Sequence, residues 1–176
     1  MSFQACLLTA IMLPALVVAQ SSAPAQPSRT QALAAARDVV QGAVYCTLVT
    51  IGENGHPQAR IVEPTEPDDS FTIWIGTNPL TRKVNEIRRD PRVTLLYFHA
   101  ATSSYVTVLG RATIVTDTDE KVRRWKKSWA PFYSNGPGGD EFLLLRVTPT
   151  RLEISSPSRK MNNDPNTWLP IVIDLQ

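Results

Sequence analysis

Apolar and polar residues along this chain change period several times, and the changes mark out short strands separated by tight turns. Residues 43–51 alternate apolar with small polar side chains, the two-residue period of a half-buried strand. Asn54-Gly55 follows, a pair suited to the positive φ angles of a two-residue hairpin. A partner strand is expected over residues 58–63, and Pro64, Pro67, Asp68 and Asp69 make the next turn. Residues 71–76, 93–98, 105–115, 142–147 and 151–155 read as further strands. Three stretches carry the longer helical period. Residues 30–41 are rich in helix formers and stop at Gly42. Asn78-Pro79 predicts a cap and first helical position for a helix with Leu80, Val84 and Ile87 on one face, ending at Asp90-Pro91. Asp117 and Glu120 open a third, with Val122, Trp125 and Trp129 on one stripe and Arg123, Arg124, Lys126 and Lys127 on a solvated face. Six or seven short antiparallel strands with few helices point to a mainly β fold with flanking helices, a closed barrel.

The N-terminus stands apart. Residues 7–19 form an apolar run broken only by Thr9 and Pro14, and the first charged side chain is Arg29. A bilayer-spanning helix needs about 20 apolar residues, so this run predicts a secretory signal, cut after Val17-Val18-Ala19. No Lys or Arg precedes the run. The expected organisation is a signal peptide over residues 1–19, a Ser/Ala/Pro/Gln linker over 20–28, and one domain over 29–176 in an exported protein, periplasmic or secreted. Cys6 would leave with the signal, and Cys46 would then pack alone in a strand. The net charge of +2 gives no argument for a nucleic-acid or membrane partner.

Catalytic signatures are absent: there is no Gly-x-Ser-x-Gly elbow and no His-Glu-x-x-His helix. His56 and His99 lack metal-ligand spacing with each other and with Cys46. The segment Thr77-Asn78-Pro79-Leu80-Thr81-Arg82-Lys83 is different. It combines a helix N-terminus, a hydroxyl and two cations within one turn, and Arg60 on the neighbouring hairpin adds a bidentate donor. An anion site and a capped surface helix with a solvated basic face are both consistent with this pattern, since Arg88, Arg89 and Arg92 follow.

Gln58-Ala59-Arg60-Ile61-Val62, then Thr77-Asn78-x-x-Thr81-Arg82-Lys83, resembles the FMN-binding region of the pyridoxamine 5'-phosphate oxidase family. Tyr105-Val106-x-Val108-x-Gly110-Arg111-Ala112 and Leu144-x-Arg146-Val147-x-Pro149-x-Arg151-Leu152-Glu153 continue the likeness in order. The pattern is closest to the small general-stress-protein-like flavin binders, some of which share a tail like Asp164-Pro165-x-Thr167-Trp168-x-Pro170. The resemblance implies a split β-barrel in which Arg60, Arg82 and Lys83 bind the FMN phosphate with Thr81 assisting. It also implies that the backbone of Ile61 and Val62, with Thr77, meets the isoalloxazine ring. Tyr105 stands at a flavin-contacting position, and Trp168 either packs on the barrel or covers the flavin. Family members are homodimers with FMN between subunits, so the same is expected here.

Departures bear on the reaction. Thr65 stands where the oxidases have a substrate-phosphate lysine, Glu153-Ile154-Ser155 lacks their tryptophan, and Ser158-Arg159-Lys160-Met161 replaces their Arg-x-His motif. The expectation is an FMN-dependent oxidoreductase acting on a small substrate other than pyridoxamine phosphate. The rivals are a flavin-binding or sensing protein without turnover, or the same barrel holding a deazaflavin or haem.

Overall fold

The computed structural model describes residues 27–161, 164 and 166–175. The expected signal peptide and linker residues 20–26 lie outside the described residues. Helix α1 (Arg29–Gly42) starts on Ser28, whose hydroxyl accepts from Gln31 N–H while the Gln31 side chain accepts from Ser28 N–H. This reciprocal bonding satisfies two backbone donors. Ala32, Ala35, Ala36, Val39 and Val40 recur at helical spacing and are buried against the sheet. At Gly42 a Cβ would come within 2.4 Å of the His99 ring, which would have to turn aside for a larger residue.

The sheet holds β1 (Cys46–Ile51), β2 (Pro57–Val62), β3 (Ile73–Thr77), β4 (Arg92–His99), β5 (Ser104–Val115), β6 (Leu143–Ser155) and β7 (Ile171–Asp174). Its order is β2-β1-β4-β5-β6-β3, with β7 also on β6, and every pairing is antiparallel. The sheet curls until the chain just past β2 meets β3: Pro64 bridges Ile75, and Thr65 N–H donates to Trp74 O at 2.8 Å. That short contact joins the two ends of the barrel, while β2 itself pairs, among the described residues, only with β1. The fold is a split barrel.

The expected strands 142–147 and 151–155 are one strand. β6 runs through Pro149 because the β5–β6 register shifts between Leu109 and Gly110, and Gly110 lets the strands close up there. Its first half lies between β5 and β3, its second between β5 and β7. β7 was not expected, since its Pro-flanked tail reads as loop.

Two apolar clusters result. The barrel interior is filled by Leu48, Ile73, Ile75, Leu95, Val106, Val108, Leu145 and Leu152, with the α1 stripe beside them. Cys46 packs in this core, and burial pushes its thiol up to about 12. The second cluster, Trp74, Trp129, Phe142 and Leu144, lies on the outer side of β3 and β6 under residues 118–142. Here the expected long helix is only α3 (Thr118–Arg123), capped by Asp117, followed by a 3₁₀ turn over Lys127–Phe132. Pro131 lacks the N–H a longer helix would need. Val122 is consequently exposed, whereas Trp125 packs edge-on against Trp129 and Phe142. The basic residues of this segment are not all solvated. Arg124 stacks over Trp74, and Lys126 holds Glu63 at 2.7 Å and Pro64 O at 2.9 Å, fixing the chain where the barrel joins.

Candidate functional site at the split of the barrel

Helix α2 (Arg82–Arg89) carries Arg82 and Lys83, two of the residues expected to bind an anion. Its cap is Thr81, three residues later than Asn78, so Pro79 is not the first helical position. The Asn78 side chain instead accepts from Leu80 N–H at 2.8 Å, an Asx turn that delays the helix. Leu80 therefore lies outside the helix and is exposed, while Val84 and Ile87 enter the core. The Thr81 hydroxyl donates to Asn78 O at 2.8 Å and lies 3.3 Å from the Thr77 hydroxyl. It makes no cap bond to the first turn, so the leading N–H groups of α2 lack the usual side-chain acceptor.

Alternation along β2 turns Gln58, Arg60 and Val62 to one side and leaves Ala59 and Ile61 exposed on the other. Arg60 reaches across its register partner strand: Nη1 donates to Thr50 Oγ1 at 2.5 Å and Nη2 to Glu86 Oε2 at 2.7 Å. The Thr50 hydroxyl donates to the same Glu86 oxygen at 2.5 Å, and Arg82 Nε pairs with Oε1 at 3.0 Å. β1, β2 and α2 thus meet at one carboxylate. Gly52, Glu53, Asn54, Gln58, Arg82 and Glu86 line an open pocket of about 350 Å³ beside it.

Electrostatics follow from this crowding. Burial lowers the Lys83 pKa first, and the nearby positive Arg60 lowers it further; Glu86 opposes both. Burial works to raise Glu86, but hydrogen bonds from Thr50 and Arg60, with the charges of Arg60 and Arg82, hold its carboxyl below the usual range. Arg60, Arg82 and Lys83 gather around Glu86, three cations to one carboxylate, with Glu53 also on the pocket wall. The donor set suits a phosphate group. Beside it, the free edge of β2 carries the backbone of Ile61 and Val62.

The other residues singled out in the sequence stand elsewhere. Tyr105 is half-buried on β5, in register with Phe98 and Ser155. Trp168 precedes β7, is 78% exposed and has φ of 58°, in a turn where Asp164 accepts from Asn166 and Thr167 N–H. The chain brings Arg60, Arg82 and Lys83 together around Glu86, with Thr77 and Thr81 paired just before α2. Glu86 and Thr50 were missed by the sequence reading. The Arg82–Glu86 spacing of four on a helix was the one available signal.

Comparisons agree with this architecture. The family model for pyridoxamine 5'-phosphate oxidase matches residues 32–156. A pyridoxine/pyridoxamine 5'-phosphate oxidase of Cyanothece sp. is 33% identical over 105 residues, covering 55% of this chain. The chain aligns with only 48% of that relative's length. A solved protein of Clostridium acetobutylicum related to general stress protein 26 superposes with a TM-score of 0.66 at 18% identity, covering 78% of this chain and 89% of its own. A pyridoxamine 5'-phosphate oxidase-related, FMN binding protein of Nostoc punctiforme gives 0.60 at 17% identity, covering 82% and 94%. With the split barrel and the sequence match spanning most of the folded domain, this chain belongs to the pyridoxamine 5'-phosphate oxidase family.

Proposed function

We propose that the protein binds FMN by its phosphate at the Arg60–Lys83 cluster and acts as a flavin-dependent oxidoreductase on a small substrate other than pyridoxamine phosphate. The observation that carries the reading is the gathering of three cations, one of them a partly buried lysine, where β2 meets α2. A surface helix with a solvated basic face gives no reason to bury Lys83 beside Arg60. Arg60, Arg82 and Lys83 would hold the phosphate and Thr81 would add a hydroxyl. The exposed edge of β2 at Ile61 and Val62, with Thr77, would orient the ring. When bound, the flavin supplies hydride or electron transfer, and the protein supplies position and exclusion of water.

Thr65 supports the departure from oxidase chemistry. Its hydroxyl accepts from Trp74 N–H at 3.1 Å and its own N–H is bonded to Trp74 O, so it serves the barrel seam. The outer sheet face supports a homodimer with the flavin between subunits. Ile61, Leu96 and Val172 lie exposed in one cross-strand row, with Thr47, Thr107 and Glu153 between them, and Phe98 follows in the next. A partner placed on this face would let Tyr105 or Trp168 reach a flavin held by the other chain. Export with cleavage near Ala19 is a separate proposal, resting on the apolar run at residues 7–19.

Flavin absorbance of the purified protein, with FMN titration of the flavin-free form, tests the assignment. Arg60→Ala with Lys83→Ala removes two charge-assisted contacts worth about 1.5–3 kcal/mol each, so retained FMN should vanish. Unchanged flavin content in the double variant overturns the site. Anaerobic reduction followed by candidate acceptors separates an oxidoreductase from a carrier: reoxidation no faster than that of free FMN rejects turnover.

A further inference from the structure

A site proposed to attract a dianion has no evident use for a fixed carboxylate, yet Glu86 stands among its cations with a side chain only 4% exposed. Both oxygens are engaged. Oε2 accepts from Arg60 and Thr50, while Oε1 pairs with Arg82. One carboxylate thus spans two guanidinium groups carried by different elements, an edge strand and a helix. Thr50, itself fully buried, closes a triangle with Arg60 and Glu86.

Two consequences follow. Arg60 has two of its five N–H groups committed to this triangle, and the remaining donors keep a fixed direction. A long side chain on an edge strand would otherwise lose rotamer freedom each time a ligand bound. Glu86 also limits repulsion among Arg60, Arg82 and Lys83 when no ligand is present.

We propose that Glu86 is a positioning residue of the phosphate grip, holding Arg60 and Arg82 so that the site selects a phosphorylated flavin over the unphosphorylated one. The inference rests on the flavin-phosphate reading of the same site. It assigns the discrimination between FMN and riboflavin to a residue that need not touch either.

Dissociation constants for FMN and riboflavin, measured on flavin-free wild type, Glu86→Gln and Glu86→Asp, test it, with circular dichroism of each variant as the check on folding. Glu86→Gln should weaken FMN roughly tenfold or more, the scale of one charge-assisted hydrogen bond, and leave riboflavin within about twofold. Glu86→Asp, which keeps the charge, should recover part of the loss. Tighter FMN binding by Glu86→Gln would overturn the proposal, since the carboxylate would then be a competitor for the arginines. Equal losses for FMN and riboflavin would also overturn it, leaving a scaffold role. If Glu86→Gln fails to fold, Thr50→Val removes one arm of the same triangle, and it too must weaken FMN selectively. A wild type that takes up neither flavin removes the site assignment and this inference together, an outcome distinct from normal FMN binding with unaltered discrimination in the variants.

Discussion

Lys83 is the side chain on which alkaline pH acts first at the proposed phosphate site. Burial and the charge of Arg60 lower its pKa, so it gives up its proton below the ordinary lysine range. Its protonated form is the one a phosphate needs. FMN affinity is therefore expected to hold through neutral pH and to fall as pH rises through that lowered pKa. Titrating FMN at several pH values between about 7 and 10 shows the fall. Lys83→Arg stays protonated throughout and should flatten it. The sign for Glu86 is opposite. Its carboxyl is held below the usual range, so the stability it contributes is complete above that range and is lost as acid takes pH through the lowered value.

At the scale of elements, the β5–β6 bulge is the most exacting feature. A Cβ on Gly110 would lie 2.4 Å from Thr148 O and 2.9 Å from Pro149 Cα, both backbone atoms that cannot swing aside. Gly110→Ala should destabilise the fold by about 2 kcal/mol or more, read as a lowered midpoint in urea. This position also shows where sequence patterning succeeds and stops. Strands β1 to β5 were legible because each shows alternation or a bracketing turn signal such as Asn54-Gly55. The continuity of β6 was not, because a proline in a strand reads as a break unless the glycine opposite it is known to be its partner. Likewise α2 was found through its apolar positions, but its start was displaced by the Asn78 side chain, an alternative to helix that composition does not rank. In the site, Arg60 and Thr77–Lys83 were legible as motif, whereas Thr50 and Glu86 are joined by long-range register alone.

The outer sheet face is a property of the whole molecule. Ile61 is 67% and Phe98 59% exposed on a surface that antiparallel sheets usually keep polar. If this face joins two copies, Phe98→Asp should leave the monomer folded, since the side chain is solvated within one chain. It should also yield a monomer in gel filtration with light scattering and weaken FMN. A wild type that is already monomeric at micromolar concentration would refute the dimer.

The unequal pairing of β2 and β6 also sets how the barrel breathes. β6 has hydrogen-bonded neighbours on both sides over most of its length, whereas β2 has one neighbour and a bare margin among the described residues. Amide hydrogen exchange should accordingly be slowest in β6 and fastest on the bare margin of β2. If the flavin ring lies against Ile61 and Val62, loading the protein with FMN should slow exchange there first, so the least protected strand becomes the reporter of occupancy.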